Sequence, residues 1–154
     1  LDLMIHDIDI ILDLVDSPIE KVDAIGMSLL SPFEDVASAR LQFRNGCVAN
    51  MTVSRASRQK RRSMTVFQKD LYVVVDYMAQ DITIYRKDVS QGSSEDPQSH
   101  IIVEEVPLVH DEPLRLQLEH FLDCIQVGEE PVVSGHHGKQ ALEVALSILK
   151  KIHK

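Results

Sequence analysis

The chain has 154 residues, 44% of them apolar and 26% charged, a composition typical of one globular domain with its own core. Its formal net charge of −8 disfavours binding to nucleic acid or to anionic membranes. The sequence contains neither an apolar run of about 18 residues, as a membrane-spanning helix needs, nor the basic start of a signal peptide. We therefore expect a cytoplasmic protein with no nucleic-acid or membrane partner.

The cysteines and the first residue bear on the redox environment and the completeness of the chain. Cys47 and Cys124 lack the spacing of a metal site or a disulfide framework, and both lie in apolar segments. We predict two buried free thiols. Because the chain begins at Leu1, inside a helical pattern and without a methionine, we expect it to be part of a longer protein.

The predicted elements are one helix, six or seven strands and two closing helices. The apolar and acidic run 2–15 predicts the first helix, which Ser17-Pro18 ends. Asn45-Gly46, between two apolar runs, predicts a hairpin with a type I′ turn. The polar stretch 88–100 predicts a long surface loop. The predicted strands are 20–29, two within 36–57, 63–67, 72–77, 82–86 and 101–109.

The order of these elements predicts the fold class. Short turns between successive strands favour a mainly antiparallel sheet. Helices at both ends of the sequence fit an α+β fold, in which an open sheet of six to seven strands carries its helices on one face. We expect a single domain over residues 1–154. Since the other face of the sheet would lack a cover, we also predict a homo-oligomer formed through that open face.

The two closing helices each carry an apolar stripe at helical spacing, as expected of helices that cover one face of a sheet. Ser134 is the predicted N-cap of the last helix. The first stripe is Leu114, Leu118, Phe121, Leu122 and Ile125, and the second is Leu142, Ala145, Leu146, Leu149 and Ile152.

The polar residues of the first helix are the strongest functional signal in the chain. At about 100° per residue they fall within roughly 80° of one another, and nearly every other direction is apolar. A helix of this kind is normally buried, so its polar side must face solvent or a cleft. The residues of this acidic stripe are Asp2, His6, Asp9, Asp13 and Asp16.

Three interpretations of the acidic stripe are open from spacing alone. It could be the solvated edge of a partly buried helix. It could hold a metal ion, with carboxylates and an imidazole at i, i+4 and i+7. It could also perform acid–base catalysis, because Asp2 and His6 lie one turn apart and can meet one substrate. A nearby carboxylate, with Asp9 as a candidate, would orient the imidazole to take a proton from a hydroxyl.

Several segments together resemble one enzyme family. Residues 2–9, DLMIHDID, resemble the D-x-x-x-H-x-x-D signature of the Gfo/Idh/MocA (glucose-fructose oxidoreductase/inositol dehydrogenase) family. The hairpin at 41–50 resembles the family's central hairpin, and 54–62 resembles the segment that follows it. Residues 131–135, PVVSG, are similar to the family's closing stretch. The likeness spans nearly the whole chain and favours the catalytic interpretation of the acidic stripe.

The resemblance implies the C-terminal, substrate-side domain of an NAD(P)-dependent oxidoreductase. In this family NAD or NADP is bound mainly by an N-terminal Rossmann domain, which is absent from this chain. The resemblance implies that His6 is the acid–base residue, that Asp2 binds or polarises a substrate hydroxyl, and that Asp9 supports substrate binding. No metal ligand is implied. The family's G-x-G-x-x-G fingerprint and E-K-P lysine are missing here, so we expect the chain alone to be inactive and to contribute no cofactor-binding residue.

The resemblance also suggests a substrate. Residues 6–10, HDIDI, are similar to family members that oxidise the 3-hydroxyl of nucleotide-linked amino sugars. The implied partner is therefore a small-molecule sugar, polyol or nucleotide sugar, with a UDP-amino sugar as the specific hypothesis. The alternative hypothesis is a non-catalytic oligomerisation or ligand-binding module of the same fold.

Overall fold

The computed structural model describes residues 2–88 and 100–153. Within them, one helix precedes seven strands and two helices follow, which confirms the predicted order and the α+β class. The elements are α1 (Asp2–Val15), β1 (Ile19–Met27), β2 (Val36–Phe43), β3 (Val48–Ser54), β4 (Ser63–Gln68), β5 (Leu71–Asp76), β6 (Asp81–Lys87), β7 (Ile101–Val106), α2 (Pro113–Val127) and α3 (Gly135–Ile152).

The strands form two antiparallel sheets where one was expected. The first sheet has the order β1-β2-β3 and the second β4-β5-β6-β7, so each is a meander of neighbouring strands. The break falls at residues 55–62, which carry five Arg or Lys residues. Across this connection β3 does not pair with β4.

The chain is organised as two compact units. Unit 1 comprises Leu1–Arg58 and His120–Lys154, and unit 2 comprises Gln59–Glu119. Unit 1 contains the three-stranded sheet with α1 and α3, and unit 2 contains the four-stranded sheet. Helix α2 begins in unit 2 and ends in unit 1. That both units belong to a single domain stays a prediction.

The core of unit 1 lies between one face of its sheet and helices α1 and α3. Alternate residues of β2 point into it, as expected of a strand with one covered face. Burial of each large side chain contributes about 1.5–3 kcal/mol, so this layer holds α1 firmly on the sheet. The buried apolar residues are Met4, Ile8 and Ile11 of α1, Ala39, Leu41 and Phe43 of β2, Met51 of β3, and Ala141, Ala145 and Ile148 of α3.

Helix α3 confirms the predicted N-cap but turns a slightly different face inward. The Ser134 side chain accepts a hydrogen bond from the backbone N–H of His136, and His137 completes a capping box. Leu142 and Leu146, which the periodicity placed in the core, are exposed, while Ala145 is buried. Small alanines on the inner face allow α3 to approach β1 closely.

Helix α2 forms where it was predicted, but its apolar stripe is not buried. Leu114, Leu118, Phe121, Leu122 and Ile125 are all exposed, and Cys124 is the only buried residue of the helix. The prediction that this stripe covers a face of a sheet is therefore wrong for the described chain. Periodicity identifies the apolar side of a helix, but it does not identify what covers that side.

The hairpin between β2 and β3 is confirmed, although its turn differs from the prediction. Gly46 has a φ of 87°, whereas Asn45 is not among the residues with positive φ, so the turn is not type I′. The Gly46 N–H donates to the Phe43 carbonyl at 3.0 Å, as in a type I turn. Cys47 lies in this turn and is exposed, which corrects the expectation that both thiols are buried; Cys124 is buried.

Two remaining expectations concern the membrane and the surface loop. None of the helices in the described ranges has the length and apolar character that crossing a bilayer requires. Of the loop predicted at 88–100, positions 89–99 lie outside the described residues.

Candidate functional site

Helix α1 presents two opposite faces. Met4, Ile8 and Ile11 are buried against α3 and the first sheet. At about 100° per residue, the acidic stripe points roughly 160° away from them. Asp2 and His6 are accordingly exposed, and Asp9 is half-buried.

The C-terminal end of α1 is tied to the β2–β3 hairpin. The Asn45 side chain donates from Nδ2 to the carbonyl of Val15 at 3.3 Å, and its Oδ1 accepts from the N–H of Cys47 at 3.0 Å. The Asn45 N–H donates to the Ser17 hydroxyl at 3.2 Å. These contacts, with the buried face, hold the helix rigidly, as a functional group on a scaffold requires.

Asp2 and His6 are brought to the same side of α1, one turn apart. Four residues of helix separate them by about 6 Å along the axis. Among the described residues, neither side chain makes a hydrogen bond or an ion pair, and no hydrogen bond joins Asp9 to His6. Both groups therefore remain available to a ligand on the exposed side of the helix.

Asp9 lies in a separate cavity farther along α1. This cavity of about 290 Å³ is formed by the second half of α1 and the start of α3, and it includes neither Asp2 nor His6. The carboxylates in its lining can accept hydrogen bonds from hydroxyl groups, and the side-chain amide of Gln140 can both donate and accept them. The polar lining consists of Asp9, Asp13, Asp16, His137 and Gln140.

A small cavity of about 50 Å³ lies beside the first turn of α1. Its wall includes Leu3 and Met4 of α1, Arg55 after β3, and the carboxylates Glu34 and Asp35 of the β1–β2 loop. The Arg55 N–H donates to the Asp35 carbonyl at 2.9 Å. The β1–β2 loop and the end of β3 are thus fastened together next to Asp2.

Asp35 organises this β1–β2 loop. One carboxylate oxygen accepts the backbone N–H groups of Leu30, Leu29 and Ser31 at 2.6, 2.9 and 2.8 Å. These donors hold the pKa of the Asp35 carboxyl well below its usual range. Sequence reasoning missed Asp35, because one acidic residue in a loop forms no pattern; the signal available was Ser31-Pro32, which marks a turn.

Glu34 connects the same loop to the end of α3. Its Oε1 lies 2.6 Å from Nε2 of His153. A hydrogen bond from its own backbone N–H and, second, the His153 hydrogen bond lower the pKa of the Glu34 carboxyl. The loop is therefore anchored both on β3 and on α3.

Neither a metal site nor a dinucleotide site is visible in the described ranges. No three His, Cys, Asp or Glu side chains there come close enough to hold an ion, and Asp2, His6 and Asp9 form no such group. All strand pairings are antiparallel, whereas a Rossmann site needs a glycine-rich turn after a parallel strand. The residues present therefore do not fit NAD or NADP, and the acidic stripe is the best candidate for chemistry in this chain.

Comparisons with known proteins show what the chain is similar to. Residues 1–72 match the family described as GFO/IDH/MocA C-terminal domain. The chain is 32% identical over 149 residues to UDP-N-acetylglucosamine 3-dehydrogenase from Acidithiobacillus ferrooxidans, covering 96% of this chain and 46% of that protein. The chain thus spans about half the length of this curated relative.

Solved structures share the fold. A structure of UDP-N-acetylglucosamine 3-dehydrogenase from Acidithiobacillus ferrooxidans superposes with a TM-score of 0.85 at 29% identity, over 97% of this chain and 45% of that one. The WlbA dehydrogenase from Bordetella pertussis, solved with NADH and UDP-GlcNAcA, has a TM-score of 0.68 at 21% identity, over 98% of this chain and 41% of that one. The first 72 residues thus match the C-terminal domain of the GFO/IDH/MocA family, and nearly the whole chain shares its fold with one half of a dehydrogenase at 29% identity.

Proposed function

We propose that this chain is the substrate-side domain of an NAD(P)-dependent dehydrogenase that oxidises a secondary hydroxyl of a sugar, polyol or nucleotide sugar. The observation that carries the proposal is the pair Asp2 and His6, one turn apart on the exposed face of α1 and without partners among the described residues. The similarity to a UDP-N-acetylglucosamine 3-dehydrogenase over 96% of the chain supports the same reaction class.

The chemistry assigned to the chain is proton transfer. Oxidation of a secondary alcohol to a ketone removes the hydroxyl proton and a hydride from the same carbon. An imidazole nitrogen of His6 takes the proton, and the Asp2 carboxylate accepts a hydrogen bond from the hydroxyl and orients it. A nicotinamide cofactor would accept the hydride. We place its binding site in the part of the full-length protein that corresponds to the half of the relatives outside this chain.

The specific substrate that we propose is a UDP-amino sugar oxidised at its 3-hydroxyl. The support is the 32% identity to a dehydrogenase whose name states this activity. Asp9 is proposed to bind the substrate, because its cavity offers carboxylates and an amide to sugar hydroxyls on the acidic side of α1.

A second candidate function is a non-catalytic oligomerisation or ligand-binding module of the same fold. The observation that favours it is that neither Asp2 nor His6 lines the cavity beside the first turn of α1 or the cavity that contains Asp9. On this hypothesis the pair would be surface residues without a catalytic role.

Replacement of His6 distinguishes the two functions. In the full-length protein, His6→Ala should lower the turnover of UDP-N-acetylglucosamine by roughly two to four orders of magnitude, the usual range for loss of an acid–base group. The measurement is NADH formation at saturating cofactor and substrate. His136→Ala, which removes an exposed histidine of α3, is the matched control and should keep normal turnover. Normal turnover of His6→Ala would remove His6 from the mechanism, and no oxidation of any sugar by the wild type would favour the second candidate.

A further inference from the structure

Arg55 directly follows β3 and lies beside the first turn of α1. It shares the wall of the cavity of about 50 Å³ there with Leu3, the neighbour of Asp2 in the chain. Its backbone N–H donates to the Asp35 carbonyl at 2.9 Å, which fixes the position from which the side chain starts. Arg55 is exposed, so a ligand that reaches the first turn of α1 can also reach its side chain.

The two carboxylates in the same wall are bound by groups other than Arg55. The Asp35 carboxylate accepts three backbone N–H groups of its own loop and the Ser31 hydroxyl, and Glu34 is bonded to His153. Among the described residues, the Arg55 guanidinium makes no ion pair and no hydrogen bond. A guanidinium stays charged and offers several N–H donors. Arg55 is therefore a cation, anchored by its backbone, whose donors are available to an anion.

The acidic stripe of α1 repels an anionic substrate unless a cation lies nearby. A nucleotide sugar is such a substrate, because each phosphate of its diphosphate is negatively charged. The diphosphate is bonded to carbon 1 of the sugar, close to the carbon that bears the 3-hydroxyl, so it must come near α1 when that hydroxyl meets Asp2 and His6. Among the described residues that line the cavity beside the first turn, Arg55 is the only Lys or Arg.

We propose that Arg55 binds the diphosphate of a nucleotide-sugar substrate and thereby favours nucleotide sugars over free sugars. The planar guanidinium donates paired N–H groups to phosphate oxygens, a geometry that a lysine does not reproduce. The inference rests on the proposed function, because Asp2 and His6 mark where the sugar binds. A dinucleotide cofactor also contains a diphosphate, so the experiment has to separate these two sources.

Binding of UDP to the full-length protein tests the contact without turnover, since UDP has the diphosphate but lacks the sugar that reacts. In calorimetric titrations, Arg55→Ala should weaken UDP binding by roughly 10- to 100-fold, the range for losing a hydrogen bond to a charged group. Arg55→Lys should recover part of the affinity, because it keeps the charge. Alanine retains the N–H that Asp35 accepts, so the loop stays anchored. Equal UDP affinities of Arg55→Ala and the wild type would overturn the proposal.

Arg44→Ala is the matched control. Arg44 is also exposed, and its backbone N–H also donates to a carbonyl, that of Pro18 at 3.0 Å, at the opposite end of α1. This variant should bind UDP like the wild type. An equal loss of affinity in both variants would mean that only the overall charge matters, and the proposal would be wrong. Titration with NAD and NADP separates the sources: if Arg55→Ala weakens cofactor binding and leaves UDP binding unchanged, Arg55 contacts the cofactor and the proposal is equally wrong.

The result can be told apart from that of the proposed function. If the wild type does not bind UDP, the role of Arg55 is wrong, whereas a loss of sugar oxidation in His6→Ala would still support the dehydrogenase. If UDP binding depends on Arg55 but the wild type oxidises no sugar, the diphosphate contact is supported and the dehydrogenase is not. Where turnover is measurable, Arg55→Ala should raise KM for UDP-N-acetylglucosamine and leave kcat nearly unchanged, because the diphosphate does not react.

Discussion

At the scale of single residues, Asp35 is the one charged side chain that the described chain buries, with 3% of its surface exposed. A buried charge is costly unless hydrogen bonds satisfy it. Here three backbone N–H groups and the Ser31 hydroxyl donate to the carboxylate. The buried charge therefore shapes the β1–β2 loop beside the first turn of α1, where the proposed catalytic pair begins.

The charge of Asp35 predicts a pH-dependent contribution to stability. Because folding lowers the pKa of this carboxyl, it stabilises the fold above its unfolded pKa of about 3.9, and the contribution is lost as the pH falls through the folded value. Asp35→Asn should therefore lower the melting temperature at about pH 7, and the difference from wild type should shrink below about pH 4. Calorimetry across this range is the measurement.

The matched control for Asp35 is Asp23→Asn, an exposed carboxylate on β1 whose partner is Lys21. An exposed ion pair contributes little, so this variant should melt close to the wild type at every pH. If the difference in melting temperature between Asp35→Asn and the wild type stays constant down to low pH, the charge of Asp35 is not what stabilises the loop.

At the scale of elements, β1 and α3 pack so closely that one position admits no side chain. A Cβ at Gly26 would lie 2.6 Å from Cγ2 of Ile152 and 2.8 Å from Cγ of Glu34. Neither group moves freely, since Ile152 is branched at Cβ and the Glu34 carboxylate is held by His153. The same close approach explains why the inner face of α3 carries Ala141 and Ala145.

Two glycine substitutions should change stability in opposite directions. Gly26→Ala overpacks the contact between β1 and α3 and should lower the free energy of unfolding by about 1–3 kcal/mol. Gly138→Ala, in the first turns of α3 with no atom within 4 Å of its new Cβ, should raise it by about 0.5–1 kcal/mol. Urea titration of both variants measures the two shifts. If Gly26→Ala leaves the free energy of unfolding unchanged, α3 can move away from β1 at no cost.

The elements also show where sequence reasoning works and where it stops. The bounds of α1 followed from its apolar run and from Pro18, and the N-cap of α3 followed from Ser134, because these signals act between near neighbours. The type of the hairpin turn did not follow from Asn45-Gly46. The Asn45 side chain binds the end of α1, a segment distant in sequence, and this contact accompanies the different turn.

At the scale of the whole molecule, the first sheet packs one face against α1 and α3 and turns its other face away from them. The central positions of that other face are polar, with the Ser38 and Thr52 hydroxyls 2.9 Å apart. At one corner β1 exposes Ile25 and Met27, which are 71% and 58% exposed. The homo-oligomer predicted through an open sheet face would bury this apolar corner.

The proposed oligomer can be tested by its mass. Ile25→Lys should lower the mass of the full-length protein in light scattering toward that of one copy, because it places a charge in the apolar corner. Leu14→Lys, at a similarly exposed position on α1, is the control and should keep the wild-type mass. An unchanged mass for Ile25→Lys, or a wild type that is monomeric at high concentration, would contradict assembly through this face.

The amino-acid sequence by itself determined the order of the elements, the α+β class and the stripe that places Asp2 and His6 on one side of α1. These features depend on periodicity, caps and turns, which act over a few residues. Only the tertiary structure decided that the strands divide into two sheets, that Asp35 is buried, that Asp9 lies in a cavity apart from His6, and that the apolar side chains of α2 are exposed. Each of these depends on which distant segments meet, and a local pattern carries no information about that.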